Sequence, residues 1–412
     1  MRFRRYLSAP LSTETLRALG ARQGAVVDSP DVLRVGLGSV VDSLVLEHGL
    51  SEATPIAAFF DQHHLEGPDA PAGTGLLLFA SLPFDRSESG HLDLYEITVS
   101  RFRDGDTWVT ICDNAPDLEL MLAEAELPSQ ETQSATALTL RPSGEEYAHN
   151  VARAVERLRS GEMDKVVLAR SVVGTVDEAI DPAAVAQRLR RRETRCTIYA
   201  SSVPGGRRFV GASPELLVSR IDGDVLCHPL AGTIAIPPHI APDDYQNWLL
   251  GSAKNLREHS LLVDAVTTLL AEHYAVVTAD PTPSIVSLRT VAHLGTWIRA
   301  REATVALTNA LDLIALLHPT AAVGGLPQQR ALQVINELEG MSRGHYAGPV
   351  GWIDEKGDGE WWIAIRGVML EGRDFEAWAG AGIVSESDPV AEREETKDKL
   401  ASILAAVLVD RL

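Results

Sequence analysis

The chain has 412 residues, 45% hydrophobic and 23% charged, which is room for one large core or for two domains. Its 57 acidic and 37 basic residues leave a formal charge of −20, which argues against nucleic acid, whose phosphates attract Lys/Arg-rich faces. An anionic small molecule is not excluded, because a few local cations can reverse the field inside one cleft.

The basic start Met1-Arg-Phe-Arg-Arg-Tyr-Leu is followed by Ser8, Pro10, Ser12, Thr13 and Glu14. These interrupt any apolar core of signal-peptide length. No uncharged apolar run is long enough to span a bilayer, so a soluble cytoplasmic protein is expected. Gly75–Leu82 reads as a buried strand and Thr107–Cys112 as another. Cys112, Cys196 and Cys227 are widely spaced and form no Cys-x-x-Cys pair, so three reduced, buried thiols are expected. The most linker-like stretch is Pro128-Ser-Gln-Glu-Thr-Gln-Ser-Ala135.

Beyond it, Ser143-Gly-Glu-Glu146 fits a capping box. Tyr147, Val151, Val155 and Leu158 follow at helical spacing, and the helix should stop near Gly161. Lys165-Val-Val-Leu-Ala-Arg170 has the length and branching of a strand. Further strands are expected at Arg208–Gly211, Glu215–Ser219, Val350–Ile353, Glu360–Arg366 and Phe375–Ala379. Helices are expected from Lys254 to about Glu272, with apolar Leu256, Leu261, Val263, Val266 and Leu269/Leu270, and across 391–410. Strands that arrive in runs favour α+β over a doubly wound parallel sheet.

Several polar residues on these elements could carry chemistry. Lys165 and Arg170 bracket an apolar strand, and strand-end charges commonly reach solvent. A lysine in an apolar setting can instead become a base. Moving its pKa from ~10.4 to ~7 costs about 4–5 kcal/mol, which requires desolvation or a neighbouring cation. Glu215 follows the turn-setting Pro214 and is either an exposed strand-end carboxylate or, against an apolar wall, a general acid. In a helix, Glu392, Glu395 and Lys399 share one face. That face could be solvated, with Glu395–Lys399 as an ion pair. With Glu258 from another helix, beside His259, it could hold Mg²⁺. Gly380-Ala381-Gly382 reads as a small-residue turn that could bring backbone N–H groups to an anion. Arg366, at the end of its strand, could clamp a carboxylate. His293 and His318 lack metal-ligand spacing.

Taken in order, the segments resemble one family. They are KVVLAR (165–170), GASPELL (211–217), PLAGT (229–233), KNLREHSLLV (254–263), HLGT (293–296), LHPTAAVGGLP (317–327), YAGPVGW (346–352), EWWIAIR (360–366), GAGIVSESDP (380–389) and EREET (392–396). From about Ser143 to Leu408 the chain resembles the chorismate-utilising enzymes. That family includes isochorismate synthases, salicylate synthases and the large subunits of anthranilate and aminodeoxychorismate synthases. The resemblance implies one large α+β unit over 1–412, with two facing antiparallel sheets, helices outside and a cleft active site. Residues 143–408 would carry the site. The weakly matched portion 1–135, with Leu82-Pro-Phe-Asp85 as its clearest echo, would complete the same unit.

The resemblance also implies roles. Lys165 looks like the base that activates water, and Glu215 like the acid that protonates the departing hydroxyl. Glu258 and Glu395 look like magnesium ligands, with Glu392 nearby through water. Arg366 and Lys399 look like anchors for substrate carboxylates. Gly232, Thr233 and the backbone of Gly380, Ala381 and Gly382 look like further contacts, and His293, Leu317 and Tyr346 fall in the family's pocket. This agrees with the chemistry. Chorismate carries two carboxylates and a C4 hydroxyl, and water must add at C2 while that hydroxyl leaves, which needs a base and an acid. A metal on the ring carboxylate can stabilise developing charge.

Leu317-His-Pro-Thr320 resembles the isochorismate synthases, whereas Pro319-Thr-Ala-Ala and Pro327-Gln328 depart from the amine-forming members, which argues against a glutaminase partner. The leading expectation is a magnesium-dependent isochorismate synthase feeding menaquinone, siderophore or salicylate synthesis. The alternatives are a salicylate synthase and a catalytically silent chorismate-binding protein. Asn255, Ile234 and Leu316 depart from the family pattern beside the metal and the substrate ring.

Overall fold

The computed structural model describes residues 1–47, 49–50, 56–129, 131, 133–236, 240–304 and 309–409. Gln130 and Thr132 of the linker-like stretch, and Asp410 at the end of the last expected helix, lie outside the described residues.

The elements that build or brace the site follow in chain order. They are β1 (Ala25–Asp28), β2 (Leu77–Ser81), α1 (Gly144–Arg159), β3 (Lys165–Val176), β4 (Thr197–Val203), β5 (Leu216–Ile221) and β6 (Leu230–Ala235). Then come α2 (Pro242–Leu250), α3 (Ala253–Ala271), β7 (Ser284–Ser287), β8 (Val291–Gly295), α4 (Ala310–Leu317), β9 (Pro349–Asp354), β10 (Gly359–Ile363), β11 (Asp374–Ile383) and α5 (Pro389–Leu404). The α+β class holds. Among the described residues 20 strands link into one hydrogen-bonded network, so the sheet layers are continuous with each other. All its strand pairs are antiparallel except Arg2–Ser8 with His64–Glu66. A separate three-stranded sheet, β6-β8-β7, has its own small core of Tyr245, Leu249, Ala292 and Leu294.

Local chemistry explains the elements nearest the site. The capping box at α1 is formed: Ser143 Oγ accepts from the Glu146 amide at 3.2 Å, and Glu146 Oε2 accepts from the Ser143 amide at 2.9 Å. Tyr147, Val151, Val155 and Leu158 make its buried face. β3 runs on past Arg170 to Val176 and pairs with β11 from Val166↔Ile383 to Thr175↔Asp374. Arg170 is therefore a mid-strand residue, and it is buried. Its Nε donates to Thr396 Oγ1 and its Nη2 to the Arg393 carbonyl, both at 2.8 Å, which ties α5 to β3.

Three expectations are corrected. Gly380-Ala381-Gly382 is the end of β11, not a turn. A Cβ on Gly382 would sit 2.2 Å from Glu258 Oε1 and 3.0 Å from Lys165 Cε, so glycine is required there for space. The 360–366 strand stops at Ile363, and Arg366 lies beyond it with a left-handed φ of 52°. Leu256 is 37% exposed. The buried face of α3 is instead Glu258, His259, Leu262, Val266 and Leu270, because the helix turns a carboxylate and an imidazole inward.

The N-terminal strands join the later ones directly. β1 pairs with β4 through Ile198↔Asp28 and Ala200↔Val26. β2 pairs with β9 from Val350↔Ser81 to Asp354↔Leu77. The three cysteines are free and buried. Among the described residues no helix is long and apolar enough to cross a membrane.

Candidate active site

A cleft enclosing about 650 Å³ of open space, its solvent mouth included, lies where β3, β11, α3, α5 and the small sheet meet. Its polar lining is Glu215, Thr233, Glu258, His293, Tyr346, Arg366, Glu395 and Lys399, with Gly380 and Gly382 between them.

Lys165, the first residue of β3, is 0% exposed. Its Nζ lies 3.0 Å from Glu258 Oε1, an ion pair too poorly aligned to be a hydrogen bond. It packs against Gly382 rather than lining the cleft itself. Burial would raise the Glu258 pKa, but the charges of Lys165, Lys254 and Lys399 outweigh it and hold the carboxyl below its ordinary value.

Glu215 sits just before β5, held by its backbone: its carbonyl accepts from the Ile363 amide at 3.1 Å. Its Oε1 accepts from the Leu230 amide at 3.4 Å. Burial pushes its pKa up to about 7, against the pull of that amide and of Lys165 and Lys399. At pH 7 about half of these carboxyls are therefore protonated.

The small sheet supplies a second group. Thr233 and His293 are register partners across β6 and β8, and Thr233 Oγ1 lies 3.0 Å from His293 Nδ1. Arg366 Nη2 donates to His293 Nε2 at 3.3 Å, so the imidazole proton belongs on Nδ1 and points at Thr233. Burial, then Arg366 and Lys399, hold the His293 pKa well below its ordinary value, so the ring is neutral. Gly232 does not line the cleft. It sits in the bulge before Thr233 at φ 71°, where a Cβ would meet the Asn255 carbonyl at 2.8 Å.

α5 brings the acidic residues. Lys399 Nζ donates to Glu395 Oε1 at 2.6 Å and to the Gly380 carbonyl at 2.8 Å. Glu392 is 1% exposed and lies outside the cleft lining. Its Oε1 accepts from Lys254 Nζ at 2.6 Å. Burial and Glu395 raise the Glu392 pKa, with Lys254 opposing. Each of the three carboxylates thus faces a lysine, and among the described residues no three His, Cys, Asp or Glu side chains gather tightly enough to hold a metal ion. The donor chemistry nonetheless suits a hard cation: Glu258 and Glu395 present only oxygens to one cleft from two helices.

Leu317 and Ala381 are not in the lining. Leu317, the last residue of α4, is packed in the apolar core, and Ala381 points to the face of β11 opposite Gly380 and Gly382. His318 is structural: its Nε2 lies 3.0 Å from the Phe84 carbonyl, and burial pushes its pKa down to about 4. Sequence reasoning missed the apolar wall of Val167, Leu230, Ala322, Val323, Ile365 and Trp378. Trp378, stacked on Tyr346 at 6.1 Å, was legible in principle, because it shares strand parity with Gly380 and Gly382. Lys254 was missed as well, although it opens the KNLREHSLLV segment.

The site combines a buried carboxyl, a buried lysine, the cationic Arg366 and Lys399, and acidic residues from two helices. A family model described as chorismate binding enzyme matches residues 53–408, and the chain belongs to that family of chorismate-binding enzymes. The match begins well before Ser143, where the sequence resemblance started. Among its relatives, a Mycobacterium tuberculosis protein provisionally named isochorismate synthase MenF is 37% identical over 352 residues, 82% of this chain and 88% of the relative. The vibriobactin-specific isochorismate synthase of Vibrio cholerae is 34% identical over 284 residues, 69% of this chain and 72% of the relative. The solved structure of MenF, the menaquinone-specific isochorismate synthase of Escherichia coli, shares the fold with a TM-score of 0.81 at 24% identity, over 98% of this chain and 94% of that one.

Proposed function

We propose that this chain is an isochorismate synthase, a stand-alone cytoplasmic isomerase that converts chorismate to isochorismate. The observation that carries the reading is Glu215: a buried carboxyl whose pKa burial raises to about 7, in the same cleft as Arg366, Lys399 and Glu258. The names of the relatives above support the same reaction. The product would feed menaquinone, siderophore or salicylate synthesis.

In the proposed mechanism Arg366 and Lys399 hold the two carboxylates of chorismate, with Thr233 and the backbone at Gly380 and Gly382 as further contacts. His293 keeps Arg366 and Thr233 in place through its two ring nitrogens. Lys165, which must first give up the ammonium proton that pairs it with Glu258, takes a proton from water as the water oxygen bonds to C2. The ring double bonds shift, the C4–O bond breaks, and Glu215 gives its proton to the departing hydroxyl. Lys165 then holds one proton more and Glu215 one fewer, and a proton returned from the first to the second resets the site. Glu258 and Glu395, with Glu392 through water, would hold Mg²⁺, which supplies countercharge to the ring carboxylate as electrons move. Holding it requires Glu258 and Glu395 to exchange their lysine partners for the ion.

The test is product analysis of the purified protein with chorismate and Mg²⁺, with and without EDTA. Isochorismate alone, lost with EDTA, is expected. Salicylate with pyruvate would move the chain to the salicylate synthases. No product, with ammonia also tried, would overturn the enzymatic reading and leave chorismate binding without turnover.

A further inference from the structure

Lys254 stands beside the acidic residues of α3 and α5 and takes no part in the mechanism above. It is the second residue of α3, and its ammonium lies 2.6 Å from Glu392 Oε1. Because Glu392 is almost fully buried, the lysine is the countercharge that makes that burial tolerable. It also lies close enough to Glu395 and Glu258 for both to stabilise its charge. In that mechanism the other two lysines of the cluster, Lys165 and Lys399, act on water and substrate, whereas Lys254 pairs with Glu392.

A fixed ammonium beside an acidic cluster acts on a divalent ion in two ways. It repels the ion, with its partly exposed side chain leaving some of that repulsion screened by water. It also occupies a carboxylate oxygen that the ion, or a water in its shell, would otherwise use. We infer that Lys254 is a resident counter-cation that competes with a divalent metal ion for Glu392 and so lowers the metal affinity of the cleft. The inference rests on the magnesium reading above and concerns the metal alone, not the reaction.

The experiment is calorimetric titration of Mg²⁺ into the full chain without chorismate, for the wild type, K254Q and K254R. K254Q removes the charge and should bind Mg²⁺ more tightly, on the order of tenfold. K254R keeps the charge and should bind as the wild type does. K254M, which keeps the stem without the charge, repeats the test if the glutamine variant does not fold. Affinity in K254Q equal to or weaker than wild type would overturn the inference while leaving the metal reading intact. Equal tightening in K254R would also overturn it, since loosened packing would then be the cause. A wild type that binds no Mg²⁺ at millimolar concentration would remove the metal reading and the inference together.

Discussion

Glu215 accepts one backbone amide at 3.4 Å with its carboxyl, and burial moves its pKa from 4.5 to about 7. The folded value lies above the unfolded one. Its contribution to stability is therefore fully present below about 4.5 and is lost as pH rises through about 7. Glu215→Gln should abolish turnover yet stabilise the fold at pH 8, by up to about 3 kcal/mol. Thermal melts of both proteins across pH check this, and a variant less stable than wild type at high pH would contradict the assignment. The wild-type rate should fall as pH rises through about 7, since the acid then arrives without its proton. Lys165→Ala should remove water addition and leave chorismate binding largely intact; turnover at the wild-type rate would end the proposed role. Glu215 and Lys165 were legible as chemistry only through the run of motifs around them. The burial of Lys165 was not legible, because β11 and α3, which pack against it, arrive much later in the chain.

At the scale of elements, the β3–β11 pair places the site, and Gly382 shows why its sequence was misread. Glycine most often marks a turn because it tolerates positive φ. Gly380 and Gly382 have no such φ; they are strand residues whose missing side chains leave room for Lys165, Glu258 and Tyr346. Gly382→Ala should cut activity at least about tenfold, with a modest loss of stability of about 1–3 kcal/mol, because the clashing atoms are side-chain atoms that can shift. Kinetics and melts of the same preparation separate the two effects. On α5, Glu395→Gln should weaken the dependence of activity on Mg²⁺, and an unchanged metal titration would remove Glu395 from the ligand set. α1 was the most legible element, since a capping box and an apolar stripe are both local signals. The inward face of α3 was not, because a helix that turns Glu258 and His259 toward a cleft defeats a purely apolar pattern.

For the whole molecule, the class of fold followed from strands arriving in runs, while the role of the first 135 residues did not. Their strands find partners far along the chain, β1 on β4 and β2 on β9, and no local pattern announces such pairings. We propose that 1–412 fold as one unit. Calorimetry should then show a single transition, and a fragment lacking 1–135 should expose the open edges of β4 and β9 and aggregate. Two well-separated transitions would instead mark an independent N-terminal domain.

The central claim is that water adds to chorismate in this cleft while the C4 hydroxyl leaves. The most direct measurement is turnover of chorismate in water enriched in oxygen-18, with Mg²⁺ present, followed by mass spectrometry of the product. The account predicts isochorismate with one heavy oxygen, located at the C2 hydroxyl. Isochorismate formed without the label would contradict attack by solvent water, and with it the pairing of Lys165 as base and Glu215 as acid.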